Sequence, residues 1–138
     1  MLGQAAMKIT ADTNLLLRAA VRDDPTQTLP AIHALRTAEL VAIPVAALCE
    51  FVWVMRNGYK MPAAKVAHSI RALIDSGNVV TNLPAVDAGL AVLDKGGDFA
   101  DGAIAYEGHW LGAEEFVSFD KQAVSILKSQ GKRARLLA

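Results

Sequence analysis

Short apolar runs alternate with segments of helical periodicity along most of this sequence. Strands are predicted on this pattern at residues 7–11, 40–44, 79–81 and 114–120, and a last, edge strand is predicted at residues 133–136. Strands that alternate with helices are typical of a parallel sheet covered on both faces. We therefore predict an α/β fold, a three-layer α/β/α sandwich with a mainly parallel central sheet of four to five strands.

The chain has 138 residues and is 53% hydrophobic, which suits one ordinary domain with a sizeable core. We predict a single domain over residues 7–138 and treat residues 1–6, which precede Met7, as an N-terminal extension or a remnant of cloning. No apolar run reaches the roughly 18 to 20 residues that span a bilayer. Cys49 is the single cysteine, and the first residues do not resemble a signal peptide, so we expect a cytoplasmic protein without a membrane partner.

Five acidic residues stand in unusual places. They are Asp12 after the first strand, Glu50 inside the apolar helix predicted over 45–55, Asp98 and Asp101 at the start of a helix over 98–111, and Asp120 after the fourth apolar run. Acids that follow parallel strands point into the crevice where open α/β sheets bind ligands. We interpret the five as ligands that meet around a metal ion.

Four of these acids also have a structural explanation. Asp12, with Thr13 and Asn14, can cap the helix that follows it. Acids such as Asp98 and Asp101 are favoured in a first helical turn by the helix dipole. Helix 45–55 is predicted to be buried on most faces, and burying the Glu50 carboxylate there costs free energy unless a base such as Arg56 or a cation compensates its charge. Both kinds of explanation stay open from the residues alone.

The chemistry that remains is an oxygen-only site. The sequence has no phosphate-binding glycine loop, no nucleophile elbow and no paired-cysteine metal spacing, and its three histidines are scattered. Carboxylates suit hard cations, so the expected cofactor is Mg²⁺ or Mn²⁺. Net charge is zero and gives no support to nucleic-acid binding. Four bases between residues 128 and 135 make the last stretch locally basic, which suits either a nucleic-acid contact, whose strength would then depend on salt, or a solvated C-terminal face.

The ordered set of motifs resembles the PIN-domain ribonucleases, and within them the VapC-type toxins of toxin–antitoxin pairs. The resemblance covers nearly the whole chain. It rests on a strand followed by Asp12-Thr13-Asn14, on Glu50 in an apolar helix, on Asp98-Phe99-Ala100-Asp101, and on Ser118-Phe119-Asp120.

The resemblance implies that Asp12, Glu50, Asp101 and Asp120 are the catalytic acids of a Mg²⁺- or Mn²⁺-dependent endoribonuclease. It implies that Asp12 and Asp101 bind the metal, with Glu50, Asp98 and Asp120 acting directly or through water. Thr13, Asn14, Asp98 and Ser118 would be supporting residues. The implied partners are an RNA substrate, a VapB-like antitoxin and a second copy of the chain in a homodimer.

Three alternatives were weighed against the toxin. A housekeeping RNA-processing nuclease would use the same acids. A phosphatase-like α/β domain also places an Asp after its first strand, but Asn14 stands where its second acid is required. A non-enzymatic receiver-like module would need an acid after the third strand, where residues 79–82 offer none.

Overall fold

The computed structural model describes residues 7–138, so the extension predicted for residues 1–6 lies outside the described residues. Seven α-helices, five strands and one π-helical turn follow one another in this part of the chain. In order they are β1 (Lys8–Thr10), α1 (Thr13–Ala20), α2 (Pro25–Thr37), β2 (Leu40–Ala42), α3 (Val45–Trp53), the π-helical turn (Val54–Gly58), α4 (Ala63–Ile74), β3 (Val79–Val80), α5 (Leu83–Asp94), α6 (Phe99–Trp110), β4 (Phe116–Ser118), α7 (Lys121–Ser129) and β5 (Ala134–Leu136).

The described chain divides into two compact units. The first contains the residues up to Met61 together with His68–Thr81, and the second contains Pro62–Ala67 together with Asn82–Ala138. The single domain expected over residues 7–138 stays a prediction.

The first unit contains a three-stranded parallel sheet with the order β1-β2-β3. Ile9 lies opposite Val41, and Val41 in turn lies opposite Val79. The central strand β2 is therefore hydrogen-bonded on both sides, and its middle residue Val41 is fully buried. The largest fully buried side chains of this unit are Leu16, Val41, Leu48, Phe51, Val52 and Ile70.

The helix predicted over 45–55 changes its hydrogen bonding near its end. The α-helical part stops at Trp53, and the backbone N–H of Tyr59 donates to the carbonyl of Val54 at 3.1 Å, five residues earlier. The Asn57 side chain donates to the Trp53 carbonyl at 3.0 Å. A side chain therefore stabilises one end of the π-helical turn, a feature that apolar periodicity does not reveal.

The second unit is built on a close contact between α5 and α6. A Cβ atom added to Gly89 would lie 2.6 to 2.8 Å from the ring of Phe99, and one added to Gly102 would run into the carbonyl group of Ala88. The two helices approach each other this closely only because these positions lack side chains. Their packing fixes the first turn of α6, which carries Asp101.

The remaining elements of the second unit form a two-stranded parallel sheet and its covering helix. Phe116 lies opposite Ala134, and Ser118 lies opposite Leu136. Helix α7 covers these strands through buried Val124, Ile126 and Leu127.

The predicted mixed α/β class and the parallel pairing of strands are confirmed. The strand pairings in residues 7–138 form a three-stranded and a two-stranded sheet. They do not by themselves give one sheet of four to five strands, so the three-layer sandwich stays a prediction. None of the helices described in residues 7–138 has the length and apolar character that crossing a lipid bilayer requires.

Candidate functional site

Three of the five singled-out acids cap helices. Asp12 precedes α1, Asp98 precedes α6 and Asp120 precedes α7. In each case one side-chain oxygen accepts a backbone N–H bond from the first turn, and the donors are Leu15 at 2.9 Å, Ala100 at 3.2 Å and Ala123 at 3.0 Å. The capping explanation is therefore confirmed for Asp12, and Asp98 and Asp120 are found to cap their helices in the same way. Each carboxylate keeps a second oxygen, so capping does not exclude a ligand role.

Asp101 differs from the capping acids because it lies inside the first turn of α6 and is half-buried. Burial raises the pKa of the Asp101 carboxyl, and the negative charges of Asp98 and Asp120 raise it further. The structure thus brings Asp98, Asp101 and Asp120 into one electrostatic neighbourhood of the second unit. A bound cation would act in the opposite direction and lower the pKa of Asp101, since it favours the ionised carboxylate.

Local contacts hold these acids in place. The Ser118 hydroxyl oxygen accepts the backbone N–H of Asp120 at 2.9 Å, and the backbone N–H of Asp101 donates to the Asp98 carbonyl at 3.0 Å. Ser118 therefore has a supporting position beside Asp120.

The other predicted site residues belong to the first unit. The Thr13 hydroxyl donates to the Ala47 carbonyl of α3 at 3.4 Å, which links the start of α1 to α3. Glu50 lies on α3, the helix that carries Ala47. Asn14 follows Thr13 in α1, and its side chain is exposed.

The expected burial of Glu50 is wrong. Glu50 is exposed, and so are Ala46 and Trp53, which share its face of α3 at helical spacing. The proposed partner Arg56 instead donates to the Met61 carbonyl at 2.9 Å. Within residues 7–138 no hydrogen bond or ion pair involves the Glu50 carboxylate. Apolar composition does not mean that a helix is covered on every side, and here Trp53 is 59% exposed on the same face as Glu50.

The fit of a metal ion was tested against these residues. Within residues 7–138 no group of three or more His, Cys, Asp or Glu side chains is arranged so that it could hold a metal ion. Mg²⁺, however, is usually bound by one or two carboxylates and several waters. Asp101 with one neighbouring acid supplies that donor set, so the residues fit the chemistry of a hard cation although they do not form a closed cage.

Within the basic last stretch, Arg133 lies at the opposite end of β4 from the capping acid of α7. The backbone N–H of Phe116 donates to the Arg133 carbonyl at the start of β4, whereas Asp120 follows the end of that strand. Four residues of extended chain correspond to about 13 Å. Arg135 is bonded to Glu115 at 2.9 Å. This placement gives no direct support to a role for the stretch in holding RNA at the acids.

A cavity of about 480 Å³ occupies that same end of the second unit. Its walls come from the last turns of α6 and α7, the start of β4 and the turn before β5, and they include Tyr106, His109, Phe116, Lys132 and Arg133. None of the predicted site residues lines it. The sequence contains no motif that would have indicated this cavity.

Comparison of the chain with models of known protein families and with curated proteins finds no match.

Proposed function

We propose that this chain is a metal-dependent endoribonuclease that hydrolyses RNA phosphodiester bonds, and that it acts as the toxin of a toxin–antitoxin pair. The observation that carries the proposal is the environment of Asp101. It is half-buried and close to two further carboxylates, and this raises its pKa. A partly buried acid whose pKa is raised by burial and by neighbouring charges is a candidate for a functional site.

Asp101 is the proposed principal ligand for Mg²⁺ or Mn²⁺ in the second unit, with Asp98 or Asp120 as its neighbour. The chemistry that such an ion supplies when bound is activation of a water and neutralisation of charge on the phosphate oxygens. Asp12 and Glu50 enter the proposal through the resemblance of the sequence to PIN-domain ribonucleases.

The chain's own residues perform the positioning. The capping bonds of Asp98 and Asp120 hold one oxygen of each carboxylate against a helix start and leave the other oxygen available. Ser118 fixes the backbone of Asp120. Exposure of Asp98, Asp120, Asp12 and Glu50 leaves their carboxylates open to a substrate from solvent.

The partners and the complete fold belong to the same proposal. A second copy of the chain and a VapB-like antitoxin are the proposed protein partners, in the cytoplasm. Large apolar side chains that are exposed in the second unit support a protein partner. They are Leu83, Ile104, Trp110, Leu111, Val117 and Phe119. The three-layer sandwich with four to five strands is the arrangement expected of such a nuclease, and the five short parallel strands are compatible with it.

Cleavage of a fluorescent single-stranded RNA tests the reaction. The wild type should cut with Mg²⁺ or Mn²⁺ and stop on addition of a chelator, and Asp101→Asn should lose about 100-fold or more of the rate because a ligand charge is removed. Asp87→Asn is the matched control, since Asp87 is an exposed acid on α5 of the same unit. Undiminished cleavage by Asp101→Asn, or cleavage that continues at the same rate after the chelator is added, would contradict the proposal.

The biological role has its own test. Induced expression of the wild type should arrest growth, and Asp101→Asn should not. Cleavage in vitro without growth arrest would favour a housekeeping RNA-processing nuclease. A stable phospho-aspartate at Asp12 would instead favour the phosphatase-like alternative.

A further inference from the structure

Two glutamine side chains at the ends of α7 make the same kind of bond. The Gln122 amide donates to the carbonyl of Gly96 at 3.0 Å, and the Gln130 amide donates to the carbonyl of Ala91 at 3.1 Å. Both bonds join the α7 segment to the chain that leads into α6, and both are exposed. They lie about 12 Å apart, because eight helical residues separate the two donors.

The two hydrogen bonds differ in how close they lie to the acids of the site. Gln122 comes two residues after Asp120, and Gly96 comes two residues before Asp98. The first bond therefore joins the two segments that carry the acids of the second unit. The Gln130 bond joins the far end of α7 to α5, at a distance from every acid of the site.

The segment that Gln122 contacts is a glycine joint between α5 and α6. Gly96 has a φ of +86°, which is the left-handed region that favours glycine. A Cβ added to Gly97 would lie 2.7 Å from both Ile126 and Val92, so the joint packs directly against α7 and the end of α5. Glycine backbones have many alternative conformations, and a bond from outside the joint restricts them.

We propose that Gln122 is a positioning residue for the acidic site: its bond to Gly96 holds the start of α6 against the start of α7, so that Asp98 and Asp101 keep their placement relative to Asp120. This inference rests on the proposed function, because it assigns Gln122 a role in that same site. The residue touches neither substrate nor metal; it acts through the backbone that precedes Asp98.

The test compares Gln122→Met with Gln130→Met in the full chain. Methionine has a similar length and removes the donor. Each variant loses one exposed hydrogen bond, so both should lower the melting temperature by a similar few degrees. Stability alone therefore does not distinguish a positioning residue from a structural one.

The distinguishing measurements are the Mn²⁺ dissociation constant, by calorimetry, and the RNA cleavage rate at saturating Mn²⁺. Gln122→Met should weaken Mn²⁺ binding by about tenfold or more and slow cleavage, as expected when the support of a ligand is lost. Gln130→Met should leave both near the wild-type values.

Equal Mn²⁺ affinity and equal cleavage in the two variants and the wild type would overturn the positioning role and leave the proposed function standing. A wild type that neither binds Mn²⁺ nor cleaves RNA would overturn the proposed function and, with it, this inference.

Discussion

The two units contain the same local arrangement, a three-residue strand followed by an aspartate that caps a helix. Asp12 follows β1 and caps α1, and Asp120 follows β4 and caps α7. The capping bonds have nearly equal lengths, 2.9 Å and 3.0 Å, and both acids are exposed. By local chemistry alone the two aspartates would be judged equivalent.

Their surroundings within each unit are different. Asp120 acts on the half-buried Asp101, whose pKa is raised by burial and by the charges of Asp98 and Asp120. In the first unit Glu50 is exposed on a face of α3 that also shows Trp53 to solvent. The comparison teaches that a strand–Asp–helix motif specifies a helix cap. The packing between helices decides whether an acid is buried close to other charges, and so whether its pKa is raised.

The largest effect is expected from breaking the packing that sets Asp101 in place. Gly102→Ala should destabilise the protein by about 1 to 3 kcal/mol, because the added Cβ would collide with the Ala88 carbonyl of α5. The measurement is the free energy of unfolding by urea denaturation.

Gly108→Ala is the matched control on the same helix, since a Cβ there meets nothing within 4 Å. It should stabilise by about 0.5 to 1 kcal/mol through the better helix propensity of alanine. Equal stability of the two variants would show that α5 and α6 do not pack as closely as described.

An intermediate effect is expected from the two caps, where the units should behave alike. Asp12→Ala and Asp120→Ala should each cost about 0.5 to 2 kcal/mol, because each leaves a helix-start N–H without its acceptor. Asp12→Asn and Asp120→Asn should stay close to the wild type in stability, because asparagine caps equally well.

Chemical denaturation of these four variants measures the difference. The asparagine variants then separate charge from capping in any cleavage assay. If alanine is tolerated without cost at one of the two positions, the equivalence of the two caps is disproved.

The smallest effect is expected from pH, through Asp101 in the second unit. The folded pKa of this carboxyl lies above its ordinary value of 3.8. Between these two pKa values the native state binds more protons than the unfolded state, so this contribution to stability falls as pH rises. Asp101→Asn should therefore be more stable than the wild type above that window, and the difference should vanish as pH falls to 3.8.

Urea denaturation across pH 4 to about pH 8 measures this difference. Asp98→Asn and Asp120→Asn should each show only part of the stability gain of Asp101→Asn, since each removes one neighbouring charge and leaves Asp101 buried. A stability difference that is independent of pH would refute the crowding of these acids.

Much of the secondary structure was predictable from the sequence because it depends on neighbours in the chain. The helix starts at Asp12, Asp98 and Asp120 follow from side chains that reach N–H groups three residues away or fewer. The strand predicted over 114–120 is confirmed only in its centre, Phe116–Ser118, since strand ends are decided by the partner strand. The π-helical turn after Trp53 was not predicted, because apolar periodicity does not distinguish it from a continued α-helix.

The sequence indicated which residues are candidates for the site, but not how buried each one is or which charges surround it. Glu50 was expected to be buried because its neighbours in sequence are apolar, and it is exposed. Asp98 and Asp101 were identified together, but the sequence did not indicate that burial and two neighbouring charges raise the pKa of Asp101. The contribution of Asp120 to that shift required the tertiary structure, since the two residues are far apart in the chain.

By itself the sequence determined the alternation of strands and helices, the caps and the identity of the acids, because these depend on side-chain chemistry and short-range hydrogen bonds. Only the tertiary structure decided how closely α5 and α6 approach at Gly102, which amide reaches Gly96, and which carboxylate is half-buried beside two others. These properties depend on distances between segments that are remote in sequence, and neither composition nor periodicity specifies such distances.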